Sequence, residues 1–396
     1  MPHFAAISVA PPDPILGLTE AFKADPNPNK INFGVGVYLD DKGRNTTLQV
    51  VKAAEQRLWE AEPSKNYLPI AGDAQYGELT RQLLTEGVSV PPGQASLQTP
   101  GGTGALRVVA DFLAHNLDRP TVWMPGPTWP NHPKVFNTAG LPTKTYRYFD
   151  SAHNSLDFEG MLADLQNVPQ GDVVLLHGCC HNPTGIDPTP AQWQQIAQVL
   201  KDRDLLGIVD IAYQGFGDGL HEDAVAVRTL LEAHVELLVC QSFSKNFGLY
   251  NERVGALHLF SSEGDSAHRA LSQLKVIVRT NYSNPPAHGA LVVRTILADD
   301  QLRQQWQQEL AGMRARINGI RSQFAEALNA AGVGRDFSFL TRQRGMFSLT
   351  GLNLEQVDRL RREDGLYMVG NGRINVAGLT PSNLPIAVKA IARVLS

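Results

Sequence analysis

The sequence predicts an α/β fold: a large domain built on a mostly parallel central sheet, joined to a smaller α+β domain. Three observations carry this. From about Leu48 to about Asp300, short apolar runs alternate with helix-like segments, the pattern of a sheet covered by helices on both faces. Beyond Asp300 the periodicity changes to that of one long helix followed by short mixed elements. And 396 residues exceed what one ordinary core organises.

In chain order, Pro2, Pro11, Pro12 and Pro14 make the N-terminus an extended arm. Strands are expected at Thr121–Met124, Asp172–Leu176, Leu206–Ile211, Glu236–Cys240 and Val254–Phe260. All are short, rich in Val, Ile and Leu, and mostly non-alternating, as buried parallel strands are. Between Ala191 and Asp202, Trp193, Ile196, Ala197 and Leu200 share one helical face. From Trp306 through Leu310, Met313, Ile317, Ile320 and Phe324 to Leu328, steps of three and four mark one long helix. A hairpin-like segment at Phe347–Leu349, a helix from Leu354 to about Glu363 and a strand near Arg373–Val376 complete the smaller domain.

Bulk properties narrow the function. The net charge of −4 comes without blocks of like charge, which argues against nucleic acid or an anionic membrane as partner. No run approaches the roughly 18 apolar residues of a membrane span. Cys179, Cys180 and Cys240 are too few for a disulfide framework and wrongly spaced for a zinc knuckle. They read as buried small hydrophobes in a reducing, cytoplasmic setting.

Four segments carry chemistry. Ser242-Phe-Ser-Lys245 follows an apolar strand, so Lys245 sits at the C-terminal strand edge where open parallel sheets bind ligands. With Ser242 and Arg253 nearby, this suits an aldehyde bearing a phosphate, held by hydroxyl and guanidinium. Pro100-Gly101-Gly102-Thr103-Gly104 precedes a helix-like run over Ala105–His115, leaving backbone N–H groups for an anion. His177 to Gly185 contains two histidines four apart, but in a Pro- and Gly-containing loop; metal ligation is not expected, and Asn182-Pro183 reads as a turn aiming the amide inward. Asp210 closes a strand, and a carboxylate there needs a cation or a donor. A protonated pyridine nitrogen is such a partner, with Tyr213 three residues on.

The ordered set of Gly101-Gly102-Thr103-Gly104, Trp129, Asn182-Pro-Thr-Gly, Asp210-x-x-Tyr213, Ser242-x-Ser-Lys245, Arg253 and Gly372-Arg-Ile-Asn-Val-Ala-Gly378 closely resembles the class I aminotransferases, specifically the aspartate/aromatic subgroup. The resemblance runs from Asp13-Pro-Ile-Leu-Gly-Leu to Ile374-Asn-Val-Ala-Gly. It implies the fold type I architecture of pyridoxal-phosphate (PLP) transferases. Residues 1–13 become an arm on the partner subunit, 48–310 a large PLP-binding domain, and 14–47 with 311–396 a small domain.

The resemblance also implies roles. Lys245 carries the cofactor and then moves a proton at the substrate; Asp210 pairs with the ring nitrogen, with His132 behind it; Tyr213 and Asn182 reach the ring oxygen. Trp129 stacks on the ring, and Gly101, Gly102, Thr103, Ser242 and Arg253 hold the phosphate. Arg373 takes the substrate α-carboxylate, and Gly36 lets backbone approach the substrate. Tyr67 and Arg279 reach the neighbouring subunit's site in a homodimer, on the cofactor phosphate and the side-chain carboxylate respectively. Two arginines favour aspartate with 2-oxoglutarate. Val37, Asn66, Thr103 and Asn284 match the aspartate type, whereas Leu39 and Asn45 depart from it, Leu39 toward an aromatic preference. A PLP lyase shares the Lys/Asp core but has less need of the second arginine. A regulator retaining a PLP domain carries a DNA-binding domain ahead of it, where this chain has a short arm. Cis peptides are expected at Gly126–Pro127 and Asn182–Pro183.

Overall fold

A computed structural model describes residues 3–10 and 16–396. The expected arm residues 1–2 and 11–13, and with them the Asp13-Pro14-Ile15 start of the resemblance, lie outside the described residues. The core is a seven-stranded sheet. Its strands, in chain order, are β1 (Gly93–Pro100), β2 (Val122–Gly126), β3 (Thr143–Arg147), β4 (Val173–His177), β5 (Leu206–Ile211), β6 (Leu237–Ser242) and β7 (Val254–Ser261). Their spatial order is β1-β7-β6-β5-β4-β2-β3.

The parallel run β2-β4-β5-β6 is as expected and β3 extends it in parallel, but β7 is antiparallel to both β6 and β1. Its wholly buried, mostly apolar text cannot reveal this, because a strand covered on both faces looks the same in either direction. Both β1 and β3 escaped the sequence reading. They form the two ends of the sheet, and the Thr143-Lys-Thr-Tyr-Arg147 text of β3 exposes polar side chains instead of an apolar run.

Successive strand residues face opposite ways, so each strand feeds two cores. Val173, Leu175, Ile208 and Leu238 pack with Leu106, Val109 and Leu113 of the helix α1 (Gly101–Asn116). Val174, Leu176, Val209 and Val239 pack with Trp193, Ile196 and Leu200 of the helix Pro190–Asp202 on the other face. That helix starts with a capping box in which Thr189 and Gln192 satisfy each other's backbone N–H. Helix α1 begins at Gly101, four residues before the expected start. Glycine is a poor helix former, yet here close packing wins.

The long helix spans Asp300–Ala330. Near its start Trp306 stacks on Phe247 at 4.3 Å and donates Nε1 to the Asn246 carbonyl at 2.7 Å, so it buttresses the loop after β6. Strand β8 (Phe347–Leu349) pairs antiparallel with β9 (Arg373–Asn375), which is the partner the hairpin-like text lacked. Among the described residues no helix is long and apolar enough to cross a membrane.

Candidate active site

The C-terminal ends of β4, β5 and β6, with the start of α1, surround a cavity of about 230 Å³. Gly36, Gly102, Thr103, Trp129, Asn182, Asp210, Tyr213, Ser242, Lys245, Arg253 and Arg373 all line it. Residues scattered over more than three hundred positions thus meet because parallel strands deliver their following loops to one edge. Gly101 stands beside the cavity against Arg253. Tyr67 and Arg279 are not brought in: Tyr67 is 90% exposed, and Arg279, also exposed, donates to Ser283 on its own helix end. Both expected cis peptides, Gly126–Pro127 and Asn182–Pro183, are present.

Asp210, the penultimate residue of β5, meets His132 Nε2 at 3.0 Å. A carboxylate only accepts, so Nε2 carries a proton, and His132 Nδ1 lies 2.7 Å from the Thr128 hydroxyl. Thr128 in turn contacts His177 Nε2 at 2.9 Å. Burial, the largest single influence, raises the Asp210 pKa, but the His132 hydrogen bond together with the charges of His132, His177 and Lys245 outweighs it and holds the carboxyl below its ordinary range. An ionised acid is therefore aimed into the cavity.

Lys245 lies with its Nζ 4.7 Å from the centre of the Tyr213 ring. Burial disfavours its ammonium, Arg253 and Arg373 add repulsion against the pull of Asp210, and the pKa falls to about 8 from 10.5. The neutral amine is the nucleophile, so in cofactor-free protein the rate of reaction with an aldehyde should rise with pH through a midpoint near 8, not near 10.5. Linkage has the same sign. Between about 8 and 10.5 the unfolded chain holds a proton that the folded one has released, so this group's contribution to stability rises with pH there and the burial cost is full below about 8. Stopped-flow rates against pH check the first statement, and a midpoint near the ordinary lysine value would contradict it.

Around the start of α1 the site offers donors to an anion. Arg253 Nη1 contacts Ser244 Oγ at 3.4 Å and the Tyr250 carbonyl at 2.8 Å, and Ser242 Oγ lies 3.3 Å from Ser244 Oγ. Arg253 adopts a left-handed φ of 55° to get there. The glycines make the cradle possible: a Cβ on Gly101 would fall 2.5 Å from Arg253 Nη2, and one on Gly102 3.1 Å from Ser242 Cβ. Helix N-terminus, hydroxyls and guanidinium together fit a phosphate.

Arg373 projects from β9 into the same cavity, 3% exposed. Its Nη1 donates to Asn182 Oδ1 and its Nη2 to the Gly34 carbonyl, both at 3.1 Å, and its face lies 4.1 Å over the Phe347 ring. Its Nε is buried with no hydrogen-bond partner among the described residues. An unsatisfied buried donor on a guanidinium is a place for a carboxylate. The amine, the ionised acid, the phosphate cradle and this donor fit pyridoxal phosphate plus an amino acid.

Tyr250, Ser244, His177, Thr128 and Phe347 were missed as site residues. Ser244 and Tyr250 stand in the same 242–250 run as Lys245, and that proximity was the available signal; Phe347 has none in the sequence.

Comparison with known proteins adds relatives along the whole chain. The model of the family "Aminotransferase class I and II" matches residues 28–391. Aspartate aminotransferase of Escherichia coli is 52% identical over 395 residues, covering 99% of this chain and 100% of that one. Aromatic-amino-acid aminotransferase of Pseudomonas aeruginosa is 48% identical, covering 100% of this chain and 99% of that one. The crystal structure of an aromatic-amino-acid aminotransferase from Burkholderia pseudomallei, covalently bound to pyridoxal phosphate, superposes with a TM-score of 0.97 at 48% identity and 100% coverage of both chains.

Proposed function

This chain belongs to the class I and II aminotransferases, and we propose that it is an aspartate aminotransferase, moving the amino group reversibly between L-aspartate and 2-oxoglutarate with pyridoxal phosphate as cofactor. The observation that carries this is a buried, easily deprotonated lysine sharing one cavity with an ionised aspartate and an arginine with a free donor. Bound there, the cofactor supplies an electron sink for charge developing at the substrate Cα.

The chain's own residues supply the rest. Ser242, Arg253, Thr103 and the backbone of Gly101 and Gly102 hold the phosphate, and Trp129 covers the ring. Asp210, oriented by His132, pairs with the ring nitrogen, while Tyr213 and Asn182 turn toward the ring oxygen. Lys245 accepts and returns a proton at Cα, a task suited to an amine titrating near neutrality. Arg373 receives the substrate α-carboxylate as a fork, beside the Gly36 backbone.

The reading includes a homodimer. The exposure of Tyr67, Arg279 and the arm residues Phe4, Ile7 and Val9 supports it. In it the arm packs on the partner, Tyr67 reaches the neighbour's phosphate and Arg279 the neighbour's side-chain carboxylate. It divides the chain into a large domain of 48–310 and a small domain of 14–47 with 311–396. It also places the protein in the cytoplasm, in keeping with three unpaired cysteines.

Single-turnover mixing of the loaded enzyme with aspartate separates a transaminase from a lyase, because only the former leaves the amino group on the cofactor. An aromatic or dual preference is the second reading, favoured by the aromatic relatives at nearly equal identity and by the apolar Leu39. A comparison of kcat/KM for aspartate, tyrosine and phenylalanine decides between them.

Arg279→Ala should reduce kcat/KM for aspartate at least about tenfold, with much less effect on phenylalanine, since a charged hydrogen bond contributes about 1.5–3 kcal/mol. Mixing Arg279→Ala with Lys245→Ala subunits should restore up to about half the activity in the mixed dimer. One of its sites then joins an intact Lys245 to the partner's intact arginine. A mixed dimer that forms without regaining aspartate turnover would refute the shared site.

A further inference from the structure

Over the cavity runs a short segment, Gly34–Tyr38, whose anchoring none of these roles explains; its Gly36 lines the cavity. The carbonyls of Val35 and Val37 both accept from one amide, Asn375 Nδ2, each at 2.7 Å. Both hydrogens of that amide are thereby used, and its Oδ1 accepts from the Ala377 N–H at 3.0 Å. Asn375 is 1% exposed. A flipped amide would set its oxygen against two carbonyl oxygens, so the orientation is determined.

The far end of the segment is held from the other side. The Tyr38 N–H donates to the Tyr250 hydroxyl at 2.9 Å, and Tyr250 stands in the loop that carries Lys245, its carbonyl accepting from Arg253 at 2.8 Å. At the near end the Gly34 carbonyl accepts from Arg373. Arg373 and Asn375 are alternate residues of β9, so their side chains leave the strand on one face.

We infer that Asn375 is a positioning residue for substrate binding: it ties the Gly34–Tyr38 strap across the cavity in register with Arg373, while Tyr250 docks the strap's other end on the lysine loop. The inference rests on the aminotransferase reading of this cavity. Of the strap's carbonyls, those of Gly34 and Tyr38 are held by Arg373 and by Asn45 Nδ2 at 3.1 and 2.8 Å, so Asn375 is what fixes the stretch between them, at Val35 and Val37. Freed from the tether, the strap samples conformations that binding must first suppress, so substrate affinity falls. The phosphate cradle stands on α1 and the β6–β7 loop, and the loss leaves it untouched.

The test uses the loaded enzyme and succinate, a dicarboxylate with no amino group to transfer. Asn375→Asp nearly preserves shape but turns an anion on two carbonyl oxygens; Asn375→Ala simply removes the tether, and Tyr250→Phe removes the acceptor at the other end. Succinate Kd, cofactor stoichiometry, melting temperature and hydrogen exchange of a peptide spanning 33–40 are measured. Expected is a rise in Kd of about tenfold or more for both Asn375 variants and of a few-fold for Tyr250→Phe. Strap exchange should be faster, with stoichiometry and melting close to wild type. If Asn375→Asp does not fold, the other two variants carry the test. Unchanged succinate affinity, unchanged strap exchange, or a loss matched by equal losses of cofactor and melting temperature would overturn the inference. Failure of the wild-type enzyme to bind succinate would instead count against the aspartate reading itself.

Discussion

Replacing Lys245 by alanine should lower aspartate turnover by at least about 10⁴-fold, because the proposed function makes this one side chain both the covalent anchor and the proton carrier, and general-base catalysis alone contributes about 10²–10⁴. The variant should still fold. The side chain removed is a buried amine whose charged form the surroundings disfavour, so below a pH of about 8 its loss relieves a desolvation cost. Pyridoxal phosphate should still bind through Ser242, Arg253 and the α1 N-terminus, but without a covalent bond. Borohydride reduction followed by peptide mapping checks this. In wild-type protein the label should fall on Lys245, and a label on any other lysine would remove the basis of every role assigned above.

The second large effect belongs to Arg373. Arg373→Ala should reduce kcat/KM by about 10²–10³, the range expected when one partner of a buried charged pair is removed at about 2–5 kcal/mol. Unlike the loss of Arg279, this should affect aspartate and phenylalanine alike, because both present the same α-carboxylate. Arg373→Lys should recover little. A lysine has no planar fork, and the position also requires donation to Asn182 Oδ1 and the Gly34 carbonyl at 3.1 Å each. Steady-state kinetics of the two variants with both amino acids decides the point. Selective loss for aspartate would mean that Arg373 and Arg279 have been given each other's roles.

Much of the site was legible because each of its parts is punctuated locally. Lys245, Asp210 and Asn182 all stand just beyond or at the end of apolar strands, and parallel strands can bring such ends only to one edge. Gly101 and Gly102 were visible as glycines before a helix, although the reason for them was not. That reason is the approach of Arg253 and Ser242 from β6 and the loop beyond it, which no local text encodes. Tyr250 and Ser244 passed unnoticed for the opposite reason: loop tyrosines and serines are common, and only their orientation distinguishes these two.

The sequence by itself determined the alternation of strands and helices, the long helix from Asp300, and which lysine, acid and arginine, Lys245, Asp210 and Arg373, line the cavity. These follow from local rules: hydrophobic period, strand-end position and the chemistry of single side chains. Tertiary structure alone decided the direction of β7, the edge strands β1 and β3, and the packing-driven helix start at Gly101. It alone decided the double tether from Asn375 to Val35 and Val37 as well. Direction is invisible in a strand buried on both faces, and an edge strand need bury only part of its surface. A hydrogen bond between distant segments leaves no period in either one. Such features depend on which surfaces meet, and the chain settles that only when it has folded.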